Sequence, residues 1–77
     1  MDTKIKSDSI DIGSNIRRIR KEKGIGQTEL VQMLQLKNVG ITRETLVKIE
    51  RGIQHIKASQ LKGICECLDT TYDELYK

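Results

Sequence analysis

Arg43, Glu44, Thr45 and Lys48 crowd one short stretch of a 77-residue chain. A guanidinium and an ammonium can donate to guanine O6 and N7, a hydroxyl can serve several base edges, and a carboxylate can accept from cytosine N4. Set on one helix, which fits the major groove of DNA, the four would form a base-reading group. Each has a plainer use as well. Arg43 and Lys48 can be solvated surface charges. Glu44, which repels phosphate, can pair with Lys48 one turn along the helix.

The remaining reactive side chains do not assemble a catalytic or metal site. Cys65 and Cys67 lie two apart on a predicted helix, about 200° around its axis, so they cannot bridge without unwinding it. One His and two Cys match no usual zinc spacing. Cys65 falls on an apolar stripe and is assigned to the core; Cys67 is expected to be partly exposed. His55 stands in a loop with no neighbouring Ser or Cys to activate. No metal, no cofactor and no enzymatic activity is expected.

Hydrophobic residues make up 36% of the chain and charged ones 32%, with two Tyr and neither Phe nor Trp. An aliphatic core of that size supports one minimal domain, and no interior that could hide a substrate. No apolar run approaches the roughly 18–20 residues that cross a bilayer. The N-terminus lacks the apolar stretch of a signal peptide. Two cysteines make no disulfide framework, so a reducing cytoplasm is the expected setting. The net charge of +3 hides an asymmetry: residues 1–11 sum to −1, 12–36 to +3, 37–62 to +4 and 63–77 to −3. A basic middle between acidic ends attracts polyanions, nucleic acid before an anionic membrane surface.

The elements that must carry these side chains follow from periodicity. There is no Pro, so Gly and caps delimit the helices. Residues 1–10 hold no sustained period and are expected to form a flexible arm ahead of a domain over 11–77. Ile12, Ile16 and Ile19 fall at i, i+4, i+7 and predict a first helix over about 12–23, with Arg17, Arg18, Lys21 and Lys23 on its other faces and Gly24 as the stop. A second helix starts at Gly26-Gln27-Thr28-Glu29, with Gly as N-cap and an acid in the first turn where the dipole favours it. Leu30, Val31 and Leu34 pack inward; Gln35-Leu36-Lys37 can carry the helix on to Asn38. Asn38-Val39-Gly40 signals a turn. Thr42 caps a third helix over 43–51, with Leu46 and Ile49 inward and Gly52 at C′. After a loop at 53–57, Leu61, Ile64, Cys65 and Leu68 mark a fourth helix. Thr71-Tyr72-Asp73-Glu74 reads as a capping box for a short fifth helix anchored by Leu75. Five helices and no convincing strand make the class all-α. A helix pair with a Gly-containing turn, whose second member displays Arg43 to Lys48, suits a helix-turn-helix.

The segments IGSNIRRIRKEKGIGQTELVQML, GITRETLVKIERG and LKGICECLDTTYDEL resemble the DNA-binding domains of the Cro and lambda-repressor type, the xenobiotic-response-element-like bacterial and phage regulators. The likeness covers about residues 12–76. It rests on Ile12-Gly13, the Arg17 to Arg20 spacing, Gly24, Gln27 followed by Glu29-Leu30, Gly40-Ile41-Thr42, Glu50 with Gly52, then Leu61, Ile64, Leu68 and Asp73-Glu74-Leu75. One departure is an extra five residues in the turn, placed at Gln35–Val39.

The resemblance implies a compact five-helix, lambda-repressor-like fold with an extended turn between helices 2 and 3. It implies a sequence-specific transcriptional regulator, a repressor, whose third helix enters the major groove of double-stranded DNA. Arg43, Glu44 and Lys48 take base-reading positions, with Thr45 beside them. Gln27 falls where a phosphate is bonded; Arg51, His55 and Lys57 fall in the loop that touches the backbone. Thr42 is a cap first and a phosphate contact second, and Lys37, within the insertion, is a further phosphate candidate. Arg20 and Glu50 match a structural ion pair. A domain this small reads few base pairs, so a homodimer on a palindromic operator is expected. Its contacts would come from residues 69–77 or the arm; Tyr72, Leu75 and Tyr76 either form a small apolar interface or close the core. The alternative is an antitoxin-like module that holds a protein partner.

Overall fold

The isoleucine stripe of the first helix is buried along its length: Ile12, Ile16 and Ile19 keep 7%, 0% and 3% of their exposure. The computed structural model describes residues 11–77; the arm expected at 1–10 lies outside the described residues. The elements run α1 (Ile12–Glu22), α2 (Gln27–Leu36), α3 (Arg43–Glu50), α4 (Ala58–Leu68) and α5 (Tyr72–Leu75), with no strand among the described residues. Ile16, Leu30, Leu34, Leu46, Ile64, Leu68 and Leu75 meet in one fully buried core. Each such side chain contributes roughly 1.5–3 kcal/mol relative to exposure. None of the described helices is long and apolar enough to cross a membrane.

The ends of the helices are chemically explicit. Asp11 accepts from the Ser14 N–H at 2.9 Å and caps α1, a role the sequence reading did not give it. Thr42 caps α3 and Thr71 caps α5. Only the Thr71 half of the expected α5 box is made, because Glu74 turns to Lys77 Nζ at 3.0 Å. At α4 the Lys57 N–H donates to the buried Gln60 side chain at 2.9 Å. Four helices close on a left-handed residue: Gly24, Asn38, Gly52 and Asp69. After α2, for example, Asn38 N–H reaches Gln35 O and Val39 N–H reaches Leu34 O. That pattern satisfies two carbonyls the helix end would otherwise leave unpaired.

Two glycines permit close packing. At Gly13 a Cβ would overlap the Ile49 carbonyl oxygen and lie 3.0 Å from its carbon, so α1 rests backbone against backbone on the end of α3. At Gly63 a Cβ would meet Val39 and Leu34. The extra residues at 35–39 therefore divide their roles: Gln35 and Leu36 lengthen α2, Lys37 and Asn38 end it, and Val39 turns back onto α4. Leu36 is left 86% exposed. The last helix is fastened from α1, where Asn15 Nδ2 donates to Leu75 O at 2.7 Å. Leu75 closes the core, whereas Tyr72 and Tyr76 stay 49% and 41% exposed.

Candidate nucleic-acid interface

α3 has two unlike faces. Leu46 and Ile49 are buried at 0% and 2%, which pins the helix to the core. Arg43, Glu44 and Lys48 are exposed and Thr45 is half-buried. At its N-terminus the Thr42 hydroxyl accepts from the Thr45 N–H at 3.1 Å and donates to the Thr45 hydroxyl at 3.1 Å. The Thr42 proton is thus used inside the chain, while the Thr45 hydroxyl still has its own proton to give. The intrahelical alternative for Glu44 is not taken. The ion pairs among the described residues are Arg18–Glu22, Arg20–Glu50, Lys37–Glu66 and Glu74–Lys77, and Lys48 has none with Glu44. An exposed pair of that kind is worth only about 0.3–0.5 kcal/mol, too little to hold two long solvated side chains together.

Beneath α3 lies a buried clamp. Arg20 Nε and Nη2 donate to the two Glu50 oxygens at 2.8 and 3.0 Å, and Arg20 Nη1 donates to Ile25 O at 2.9 Å. The pair's side chains are 8% and 1% exposed. Gln27 Nε2 adds a third bond to Glu50 at 3.1 Å. One carboxylate therefore joins α1, the start of α2 and the end of α3. The fork of the guanidinium matches the carboxylate in two parallel bonds, the strongest arrangement available to such a pair.

Other cations surround the α3 face in sequence. Gln27 opens α2 with one amide proton on Glu50 and a second unassigned. Its helix has no side-chain cap at Gly26, and the acid in its first turn is Glu29. Arg51, His55 and Lys57 are exposed along the loop that leaves α3. Ile53, in the same loop, is 64% exposed. Lys37 leans the other way, toward Glu66 of α4 at 3.7 Å.

The cysteines belong to the scaffold. Cys65 is buried and Cys67 half-buried, and neither is bonded to the other. Burial raises both thiols above their ordinary pKa; Glu66 adds to this at each, while Lys37 opposes it at Cys67. No group of three His, Cys, Asp or Glu side chains converges among the described residues.

The comparisons with known proteins agree with this architecture. A helix-turn-helix family profile matches residues 16–75. The restriction-modification controller protein C.AhdI from Aeromonas hydrophila superposes with a TM-score of 0.75 at 25% identity, covering 90% of this chain and 97% of its own. The clp gene regulator ClgR from C. glutamicum shares the fold at 19% identity, with a TM-score of 0.76 over 96% of this chain and 88% of its own. No curated protein sequence matches the chain. The chain belongs to the helix-turn-helix family.

Proposed function

We propose that this DNA-binding transcriptional regulator of the helix-turn-helix family acts as a repressor, two copies on a palindromic operator, each with α3 in the major groove. The observation that carries the reading is the two-faced α3: Arg43, Thr45 and Lys48 stand outward on a helix held from below by the Arg20–Glu50–Gln27 clamp. Base readout needs donors held to within hydrogen-bond tolerance, and the clamp supplies that rigidity. Arg43 and Lys48 suit guanine O6 and N7, and Thr45 has a proton free to donate. Glu44, not engaged by Lys48, suits cytosine N4.

Phosphates on either side fix the register. Gln27 at the start of α2 serves one side of the groove; Arg51, His55 and Lys57 serve the other. Thr42 is chiefly a cap; a phosphate bond from its hydroxyl would give up its bond to the Thr45 hydroxyl and keep the one it accepts from the Thr45 N–H. Lys37 reaches DNA only by leaving Glu66, a cheap exchange for a half-exposed pair. The expected homodimer would use the apolar groove of about 480 Å³ formed by Ala58, Leu61, Tyr72, Asp73 and Tyr76. The same groove favours the second reading, a protein-holding module. The likeness to C.AhdI, a restriction-modification controller protein, lends weight to the first.

The test is a selection from a randomised duplex pool, followed by sequencing of the bound fraction. The reading expects a palindrome with half-sites about 10–10.5 base pairs apart. Binding that enriches no sequence and only falls with salt leaves a basic surface without readout, and turns attention to a protein partner.

A further inference from the structure

A helix-turn-helix usually joins its helices by three or four residues, and that tightness fixes the angle between them. Here residues 37–42 separate α2 from α3, so the turn alone cannot say where α3 stands. The path of the turn is set instead by its packing. With Asn38 at φ 64°, Val39 donates its N–H to Leu34 O at 2.9 Å and its side chain returns over the last turn of α2. It comes to rest on Gly63 of α4, where a Cβ would lie 2.9 Å from Val39 Cγ2 and 3.0 Å from Leu34 Cδ2. A glycine in mid-helix weakens the helix. This one leaves the hole that Val39 fills. One turn further along α4, Glu66 lies 3.7 Å from Lys37 of the same turn, a half-exposed pair that adds little.

We propose that Gly63 and Val39 are a positioning pair for the N-terminal end of α3, as the clamp at Glu50 is for its C-terminal end, and so help to decide which base pairs Arg43, Thr45 and Lys48 can reach. The proposal deepens, and rests on, the reading of α3 as the base-reading helix. Its mechanism is steric. Valine is stiff at χ1, so a methyl group at 63, 2.9 Å from Val39 Cγ2, turns the side chain out of its rotamer or shifts the turn that carries it. Leu34, whose Cδ2 would lie 3.0 Å from the same methyl, is fully buried. The displacement passes directly to Ile41, 3% exposed, and to the Thr42 cap of α3. Hydrogen bonds to base edges tolerate only a few tenths of an ångström in length. Contacts to phosphate from Lys57, which stands at the N-terminus of α4, do not depend on that pose.

The experiment uses the full chain, a duplex it has selected from a random pool, and a scrambled duplex of equal length, at a temperature where circular dichroism shows every variant folded. Gly63→Ala is expected to lose about tenfold or more on the selected duplex, the size of a lost base contact. Affinity for the scrambled duplex, which reports phosphate binding, is expected to hold. Val39→Ala leaves a void rather than a clash, so it carries the test even where Gly63→Ala does not fold, and it is expected to lower the same selected-to-scrambled ratio. The double variant Gly63→Ala/Val39→Ala puts one methyl back where two were removed and is expected to recover most of the ratio. Single variants with the wild-type ratio, or a double variant no better than the worse single, would overturn the positioning role alone. A wild-type chain that selects no duplex would overturn the base-reading helix, and this proposal with it.

Discussion

Glu50→Ala is the perturbation whose size the structure sets most directly. The carboxylate is 1% exposed and accepts from Arg20 Nε, Arg20 Nη2 and Gln27 Nε2 at 2.8, 3.0 and 3.1 Å. Its removal leaves the guanidinium, itself 8% exposed, with the Ile25 carbonyl as the bond that remains. Stranding one member of a buried pair costs about 3–5 kcal/mol. At roughly 0.05–0.15 kcal/mol per residue, a domain this small has about 4–12 kcal/mol in total. The variant should therefore be close to unfolding at 25 °C, with a Tm lower by about 12–40 °C. Replacing both partners with apolar side chains of similar volume, Arg20→Met with Glu50→Leu, strands no charge and should be far milder. Its residual cost comes from the Gln27 amide and the Ile25 carbonyl, both part-buried, which lose their partners and turn to water. Thermal and urea melts followed by circular dichroism at 222 nm measure all three proteins. If Glu50→Ala loses less than about 1 kcal/mol, or the double variant is as unstable as the single, the clamp does not hold the fold as argued.

Three other outcomes follow from the same coordinates. Gly13→Ala forces a Cβ into the Ile49 carbonyl and to 3.1 Å from the Glu50 carbonyl carbon. It should destabilise by about 1–3 kcal/mol through overpacking, and a urea midpoint equal to wild type would show that α1 does not rest on α3 as described. Asp69 ends α4 at φ 53°, so Asp69→Gly should gain about 0.5–1 kcal/mol; a lower Tm would count against that strain. Burial raises both thiols, so the folded state favours the protonated form. That contribution is complete below the ordinary thiol pKa of about 8.5 and fades as pH rises beyond it. Urea midpoints should fall as pH rises above about 8.5 in wild type and less in Cys65→Ala/Cys67→Ala; equal slopes would refute the assignment.

Much of the scaffold was legible because its signals are local. The stripe Ile12-Ile16-Ile19, the leucines of α2 and α4, the Gly24 and Gly52 stops and the Thr42 cap each need only a few neighbouring residues to be read. Contacts between distant residues were not legible. Asn15 holds Leu75 sixty residues away, and nothing beside Asn15 in the sequence points to that partner. Gln60 was hidden because its box begins with Lys57 rather than Ser or Thr, although Gln at that spacing is half of the signature. Asn38-Val39-Gly40 does read as a turn, but only packing shows that Val39 points into the core and fills the space over Gly63. The exposed face of α3 was visible as residue types. Its rigidity was not, since Gln27 joins Arg20 and Glu50 only in three dimensions.

The central claim, that α3 reads bases, is tested most directly by a base-pair substitution series on the selected duplex. Each position is replaced in turn, and Kd is measured for the wild-type chain, Arg43→Ala and Lys48→Ala. In the wild type, contacted positions should each cost about 1–3 kcal/mol when replaced. Arg43→Ala should flatten that cost at one position and Lys48→Ala at another, leaving the rest of each profile intact. Profiles that keep their shape while every affinity drops alike would make both side chains phosphate contacts, and would contradict α3 as the reading helix.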